Sequence, residues 1–313
     1  MVNRFLVTGG AGFIGSHLID RLIGKGFDVV VLDDFSSGSQ KNLGSHIGKS
    51  NFRLIKGDVR NKTVTRKALE NVDAVFHLAA IVNVDFSVKN PLLVNEVNVK
   101  GTLNLLEGCL KLKVKQFIYV SSCAVYGEPE YLPIDESHPT KPLSPYGVSK
   151  LAAEHYCQVF CRIYGLRTVI LRYFNVYGPR QRKEPYSGVI LQFMEHLKQK
   201  KIPVIFGDGT QTRDFVYVDD VVDATLNVLN CEKCAGDVIN VGSGRETSIK
   251  ELYGVLLRIF EMRNVKPEYS SPRAGDIKRS CADLSRAEKL LGYKPKFSLE
   301  DGLKKLLAEQ DKE

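Results

Sequence analysis

The sequence predicts a doubly wound α/β fold: a parallel sheet of Rossmann type with helices on both faces, joined to a smaller C-terminal α/β region. Three observations predict it. Six short runs rich in β-branched residues alternate with longer helical patterns from Asn3 to about Leu171, the rhythm of a sheet covered on both faces. Glycines cluster where the first run gives way to the first helical pattern. An aspartate closes the second run, 18 residues beyond the last of those glycines, as a dinucleotide-binding βαβ unit requires.

The first run, RFLVT, leads into Thr8-Gly9-Gly10-Ala11-Gly12-Phe13-Ile14-Gly15 and a helical pattern over about Phe13 to Gly24. DVVVLD is the second strand and ends in Asp33; FRLIKGD, AVFHLAA, QFIYVSS and RTVILRY supply four more. Between them, apolar residues recur at helical spacing over about Val64 to Glu70, Pro91 to Leu110 and Pro145 to Tyr164. After Asn175 the rhythm breaks. YGPRQRKEPYSG is rich in Gly, Pro and charge, and a helix over Val189 to Lys200 and a GDGTQTRDF turn region follow; these segments read as substrate-binding loops. A helix over Asp219 to Asn230 and a strand near Asp237 to Val241 return to the sheet. The dinucleotide-binding domain is therefore expected over 1–174 together with about 213–242, and the substrate domain over 175–212 and 243–313.

A chain of 313 residues, 43% hydrophobic and 26% charged, is long enough to bury a core and has no apolar stretch of membrane-spanning length. The first strand begins so near Met1 that a cleaved leader finds no room, which predicts a cytoplasmic protein without a membrane partner. Seven cysteines, an odd number, predict reduced thiols rather than a disulfide framework. Cys231 and Cys234 make a lone C-x-x-C, and Cys157 and Cys161 lie one helical turn apart, but in separate segments without histidine partners; no metal site is expected. The formal charge of +8 is spread along the chain with no zinc-finger or RNA-binding signature, so no nucleic-acid partner is expected. A positive field suits anionic small substrates such as nucleotide diphosphates.

In the glycine turn, one glycine permits the tight bend, one lets the backbone approach a pyrophosphate and one lets the helix pack closely on the sheet, while the helix N-terminus offers its N–H groups to the phosphates. Asp33 is placed to accept from the adenosine ribose hydroxyls and repels a 2′-phosphate, which favours NAD over NADP. Asp58, in LIKGDVR, either reaches the adenine or is a plain turn aspartate. The fifth strand ends in Ser121-Ser122, and Ser144-Pro145-Tyr146-Gly147-Val148-Ser149-Lys150 follows. Ser144 is a good helix cap and Pro145 suits the first helical position. The spacing then puts Tyr146 and Lys150 on one helical face. An ammonium beside a phenol favours the phenolate, so the pKa of Tyr146 is expected to be drawn down towards working pH.

TGGAGFIGSH, HLAA, SSCAVYG, SPYGVSK, LRYFNVYGPRQ, GDGTQTRDFVYVDD and RAGDI together resemble the extended short-chain dehydrogenase/reductase family, in its nucleotide-sugar epimerase/dehydratase branch, from Phe5 to about Tyr293. The resemblance implies Ser122, Tyr146 and Lys150 as the catalytic set. It implies tightly held NAD on Gly9, Gly12, Phe13, Ile14, Gly15, Asp33, Asp58, Val59, Leu78, Ala79, Ala80, Tyr146, Lys150 and Tyr173. It implies a UDP-sugar on Ser122, Tyr146, Asn175, Val189, Arg213, Arg273 and Asp276, and a homodimer through the helices at about 91–111 and 145–164. The implied activity is 4-epimerisation: oxidation at C4, rotation of the keto sugar and reduction from the other face.

Within the branch, dehydratases resemble one another in an Asp-Glu pair after the catalytic Ser/Thr, and decarboxylases in a Glu there. Cys123-Ala124 matches neither, which disfavours both reactions. Ser280 replaces a bulky tyrosine of hexose-restricted epimerases and leaves room for an N-acetyl group, while Val82 departs from a lysine that some of them have. Arg182 falls where glucuronate 4-epimerases resemble one another in an arginine, although those tend to have Thr at the position of Asn175. Two other classes stand beside the enzyme: a dinucleotide sensor without turnover, opposed by the intact Ser122, Tyr146 and Lys150, and an RNA-binding regulator, resting on net charge alone.

Overall fold

Each β-branched run forms a strand in the computed structural model, which describes residues 3–182, 188–262, 265–272 and 277–310. β1 (Arg4–Thr8), β2 (Asp28–Asp33), β3 (Phe52–Lys56), β4 (Ala74–His77), β5 (Gln116–Ser122) and β6 (Arg167–Tyr173) are joined by a seventh strand, Val238–Val241. The order across the sheet is Val238–Val241, β6, β5, β4, β1, β2, β3, and every pairing is parallel. From β1 the chain winds first towards β3 and then back towards β6. At such a reversal a crevice opens beyond the carboxyl ends of the strands. The register brings those ends together: Thr8 pairs with Leu32 and His77, His77 with Tyr119, and Ser122 with Tyr173.

The sheet is apolar on both faces because both are covered. Phe5 and Val7 join Leu18, Ile19 and Leu22 of helix α1 (Phe13–Gly24) in one core. Leu6 points the other way, into a core with Leu105, Phe117, Tyr119 and Ala153, as the two-residue period of a strand dictates. β3, at the edge, is partly exposed and carries Arg53 and Lys56, charges that discourage edge-to-edge pairing.

Two expectations are corrected. The helix expected over Pro91 to Leu110 is interrupted: Pro91–Asn95 runs into a π-helical turn, Glu96–Lys100, and only then into Gly101–Lys111. In that turn the Asn98 side chain reaches out to the backbone of Ile81 and to Ser149 Oγ, an insertion of the kind that accompanies π-bulges at functional sites. The cysteines are not all thiols. The short turn Glu232–Cys234 brings the Cα atoms of Cys231 and Cys234 within 5.5 Å, and the two are joined as a disulfide; Cys109, Cys123, Cys157, Cys161 and Cys281 are thiols.

Beyond β6 the chain builds small sheets rather than one. Asn175–Tyr177 pairs with Phe215–Tyr217, Thr212–Arg213 with Thr247–Ser248, and Val204–Phe206 with Glu268–Ser270. Helix Val189–Lys198 packs on helix Ile249–Ile259, and helix Val218–Asn227 returns to α1. Among the described residues no helix is long and apolar enough to cross a membrane.

Candidate active site

The glycine turn is built by close approach. Gly9 has φ +69°, and a Cβ there would stand 2.8 Å from the Ala79 backbone nitrogen; a Cβ on Gly15 would meet the Gly9 carbonyl and lie 2.8 Å from Gly10 Cα. Gly12 caps α1 without any side chain. Ser16 N–H is bonded to the Gly12 carbonyl, the first helical acceptor, so the N–H groups of Phe13, Ile14 and Gly15, in the first turn, have no intrahelical partner. Asp33, buried, accepts from Ala11 N and Phe35 N at 2.8 Å each. Burial pushes its pKa up and those two bonds oppose the rise. A carboxylate has about four lone-pair sites, so acceptor capacity remains for a ribose. Asp58 accepts from Arg60 through the backbone N–H and the guanidinium, which holds its pKa low. Val59, beside it, is buried.

The end of β4 is pinned by a hydrogen-bond chain through His77. Burial, then the charge of Lys150, lower its pKa to about 3, so the ring is neutral. Thr102 Oγ1 donates to the Asn98 carbonyl at 2.6 Å and therefore accepts from His77 Nε2 at 2.9 Å. His77 Nδ1 then accepts from Thr8 Oγ1 at 2.6 Å, whose oxygen accepts from Ala79 N at 3.2 Å. Leu78, Ala79 and Ala80 are thus held, half-buried, beside the glycine turn.

Ser144 Oγ accepts from Gly147 N at 3.1 Å and Pro145 opens helix Pro145–Tyr164. A Cβ on Gly147 would stand 2.7 Å from the Ala124 carbonyl, so the first turn of this helix rides directly on the turn after β5. Tyr146 consequently comes close to the Ser122 hydroxyl. The expected lowering of the Tyr146 pKa is not found: burial pushes it up to about 12, with the nearby Ser122 hydroxyl opposing. Lys150 is turned elsewhere. Its Nζ donates to the Val120 carbonyl at 2.6 Å and lies 4.7 Å from the centre of the Tyr119 ring, and burial lowers its pKa to about 8. Cys123, next to Ser122, is a neutral thiol, pushed up to about 11 by burial. Tyr173, across from Ser122, commits its hydroxyl to Thr225 Oγ1 at 2.5 Å.

On the other side of the crevice, Asn175 and Arg213 are half-buried and Val189 opens its helix. Arg213 Nη1 donates to the carbonyls of Thr212 and Ile277. Arg273 and Asp276 lie outside the described residues. Sequence reasoning missed Asp214. Its buried carboxylate accepts from Ser243 N, Ser243 Oγ, Gly244 N and Ala282 N, tying the Arg213 segment to the segment carrying Ser280. Ser280 is buried with no partner for Oγ among the described residues. Asn98 and His77 were missed as well. A polar residue in an otherwise helical pattern and a histidine in an apolar strand were the only signals, and both are common in ordinary cores.

Residues 5–242 match the model of the NAD dependent epimerase/dehydratase family. A putative UDP-glucose 4-epimerase of Methanocaldococcus jannaschii is 43% identical over 304 residues, covering 96% of each chain. The crystal structure of UDP-glucose 4-epimerase with UDP-glucose from Thermotoga maritima is similar with a TM-score of 0.93 at 40% identity, covering 99% of each chain. UDP-glucuronic acid 4-epimerase from Bacillus cereus, in complex with UDP-glucuronic acid and NAD, is similar with a TM-score of 0.92 at 38% identity, again over 99% of each chain.

Proposed function

The chain belongs to the NAD-dependent epimerase/dehydratase family, and on that premise we propose that it is a UDP-sugar 4-epimerase acting on UDP-glucose and UDP-galactose, with room for an N-acetyl group. The observation that carries the reading is the placement of Tyr146 beside Ser122 at the carboxyl end of the sheet, with a neutral thiol at Cys123 next to it. The pair suits alcohol oxidation, and Cys123 offers no carboxyl group for eliminating water.

The residues of the first crevice fit NAD. The N–H groups of Phe13, Ile14 and Gly15 take the pyrophosphate, Asp33 the adenosine ribose, and Lys150 the nicotinamide ribose. Bound there, the dinucleotide supplies what no side chain can, acceptance of hydride at C4 and its return. Ser122 Oγ holds the sugar 4-hydroxyl and Tyr146 Oη takes its proton, later giving it back to the inverted alcohol, so no net redox change occurs. A Lys150 ammonium that left the Val120 carbonyl for a bound ribose would lower the cost of the phenolate wherever its charge came nearer to Tyr146. Asn175, Val189 and Arg213, with Arg273 and Asp276, hold the UDP moiety; paired arginines suit a diphosphate.

The test is incubation of the purified protein, without added reductant, with UDP-glucose, UDP-N-acetylglucosamine or UDP-glucuronate, followed by chromatographic separation of the C4 epimers. Galacto products from the first two are expected. Inversion of UDP-glucuronate alone would transfer the reading to a glucuronate epimerase, and three unchanged sugars with NAD bound would end it. Ser280→Tyr is expected to slow UDP-N-acetylglucosamine by about tenfold or more while UDP-glucose turnover holds, since a bulky ring fills the space the acetyl group needs. Equal slowing of both sugars would remove Ser280 from specificity.

A further inference from the structure

Residues 178–182, GPRQR, follow strand Asn175–Tyr177 and run back along helix α1 of the cofactor half. The path begins at the glycine turn: a Cβ on Gly178 would stand 2.6 Å from Val218 Cγ1 and 3.4 Å from Phe13 Cε2. One helical turn along α1, His17 Nε2 donates to the Pro179 carbonyl at 3.0 Å. A further turn on, Asp20 Oδ2 pairs with Arg180 Nη1 at 2.8 Å. The segment then reaches the loop after β2, where Arg182 Nη1 donates to the Ser36 carbonyl at 3.2 Å.

Two features show that this path is imposed on the chain. Arg180 has φ +64°, in the left-handed region that a residue with a side chain enters at a cost. Such strain persists only where the surroundings hold it, and it gathers at ligand clamps. Asp20, for its part, is prepared for its partner. Lys49 Nζ lies 3.2 Å from His46 Nδ1; an ammonium only donates, so Nδ1 accepts and the buried ring donates from Nε2 to Asp20 Oδ1 at 2.6 Å. His46 thereby fixes one carboxylate oxygen while the other meets Arg180.

The two ends of the segment touch both walls of the dinucleotide crevice. Phe13 carries one of the N–H groups assigned to the pyrophosphate, and Ser36 stands three residues beyond Asp33, assigned to the adenosine ribose. The loop after β2 is tied to the glycine turn by Ser39 N and Asn42 Nδ2, which donate to the Ala11 carbonyl at 3.0 and 2.9 Å. Arg182 adds a second tie, to a segment that is itself clamped on α1.

We propose that residues 178–182 are a strap held on α1 by the Asp20–Arg180 ion pair, and that Asp20 and Arg180 are positioning residues that slow the release of NAD. The proposal rests on the placement of NAD given above. Release requires the loop after β2 to part from the glycine turn. With the ion pair gone the strap lifts, Ser36 loses its tie and the parting becomes easier.

The experiment follows the loss of radiolabelled NAD from NAD-loaded protein under a chase of unlabelled NAD. Arg180→Gly removes the guanidinium, suits the left-handed backbone and leaves Asp20 its bond to His46, so the unfolding midpoint of the cofactor-free variant is expected within about 2 °C of the parent. Its NAD is expected to leave about fivefold faster, the scale of one partly buried ion pair read in a dissociation rate. Asp20→Asn, which keeps an acceptor for His46, is expected to match it, and the double variant to be no faster than either single one, since the two residues act as a unit. Arg180→Lys keeps a cation for Asp20 and is expected within twofold of the parent. A folded Arg180→Gly that holds NAD as long as the parent, additive effects in the double variant, or Arg180→Lys as fast as Arg180→Gly overturns the proposal. The chase needs no turnover. A parent that holds NAD and epimerises no sugar therefore fails the epimerase reading, while the release rates still decide whether the strap holds the cofactor.

Discussion

Tyr146→Phe is expected to lower kcat by about a thousandfold, the scale of a lost general acid–base group, while NAD content and UDP-sugar binding stay within about twofold. The reasons lie in what the substitution keeps. Tyr146 is 8% exposed, and phenylalanine preserves the ring and its packing against the turn after β5. What is lost is one hydroxyl and at most one hydrogen bond, worth about 1 kcal/mol to stability, so the variant folds. Ser122 Oγ cannot take over, since an aliphatic alcohol is a far weaker acid than a phenol and its alkoxide is out of reach without a neighbouring base. The check is kcat for the parent and the variant with the best UDP-sugar, together with NAD released on denaturation. A variant within tenfold of its parent would remove Tyr146 from the chemistry. Two proteins that both bind NAD and turn over none of the sugars would favour the sensor reading.

Lys150 has its pKa lowered to about 8 by burial, so the ammonium is present below that pH and lost above it. The kcat/KM profile reports groups of the enzyme before substrate binds, and a basic limb near pH 8 is expected in it.

The sheet was legible in the sequence because its strands are buried on both faces: VVVL in β2 and FIYV in β5 are short, continuous runs of β-branched and aromatic residues. α1 and helix Pro145–Tyr164 were legible to the residue, since Gly12 and Ser144 mark their starts. The helix over 91–110 was misread because helical periodicity survives a π-turn; one extra residue per turn is created by where Asn98 bonds, and Ile81 and Ser149 are distant in sequence. The site divides in the same way. Ser122, Tyr146 and Lys150 could be assembled from local spacing. The pKa of Tyr146 could not, because it depends on burial and on Lys150 turning to Val120, which spacing does not encode. Asp20 and Arg180 look like exposed charges in a helix and a loop until the strap crosses α1 and pairs them. Cys231 and Cys234 are joined because a three-residue turn brings them together, a local geometry that an odd cysteine count conceals.

Gly15→Val is expected to abolish retention of NAD without unfolding the chain. A Cβ at this position falls on the Gly9 carbonyl and 2.8 Å from Gly10 Cα, and both neighbours are backbone that cannot rotate away. α1 must therefore lift from the glycine turn. Overpacking of this kind costs about 1–3 kcal/mol, which a sheet of seven strands with cores on both faces tolerates. The cofactor does not tolerate it, because the displaced segment carries the N–H groups of Phe13, Ile14 and Gly15, and hydrogen bonds to a phosphate fail within a few tenths of an ångström. At about 1.4 kcal/mol per decade, losing two or three charge-assisted bonds, each worth about 1.5–3 kcal/mol, weakens NAD binding by more than a hundredfold. Gly24→Ala is the matched control. It lies on the same helix with nothing within 4 Å of its added Cβ, and it should leave NAD content unchanged and raise helix stability by about 0.5–1 kcal/mol. Calorimetric titration of NAD into cofactor-stripped protein decides between them. Equal affinity in Gly15→Val and Gly24→Ala would mean that the pyrophosphate does not sit on this turn, and the cofactor site would have to be sought elsewhere along the sheet.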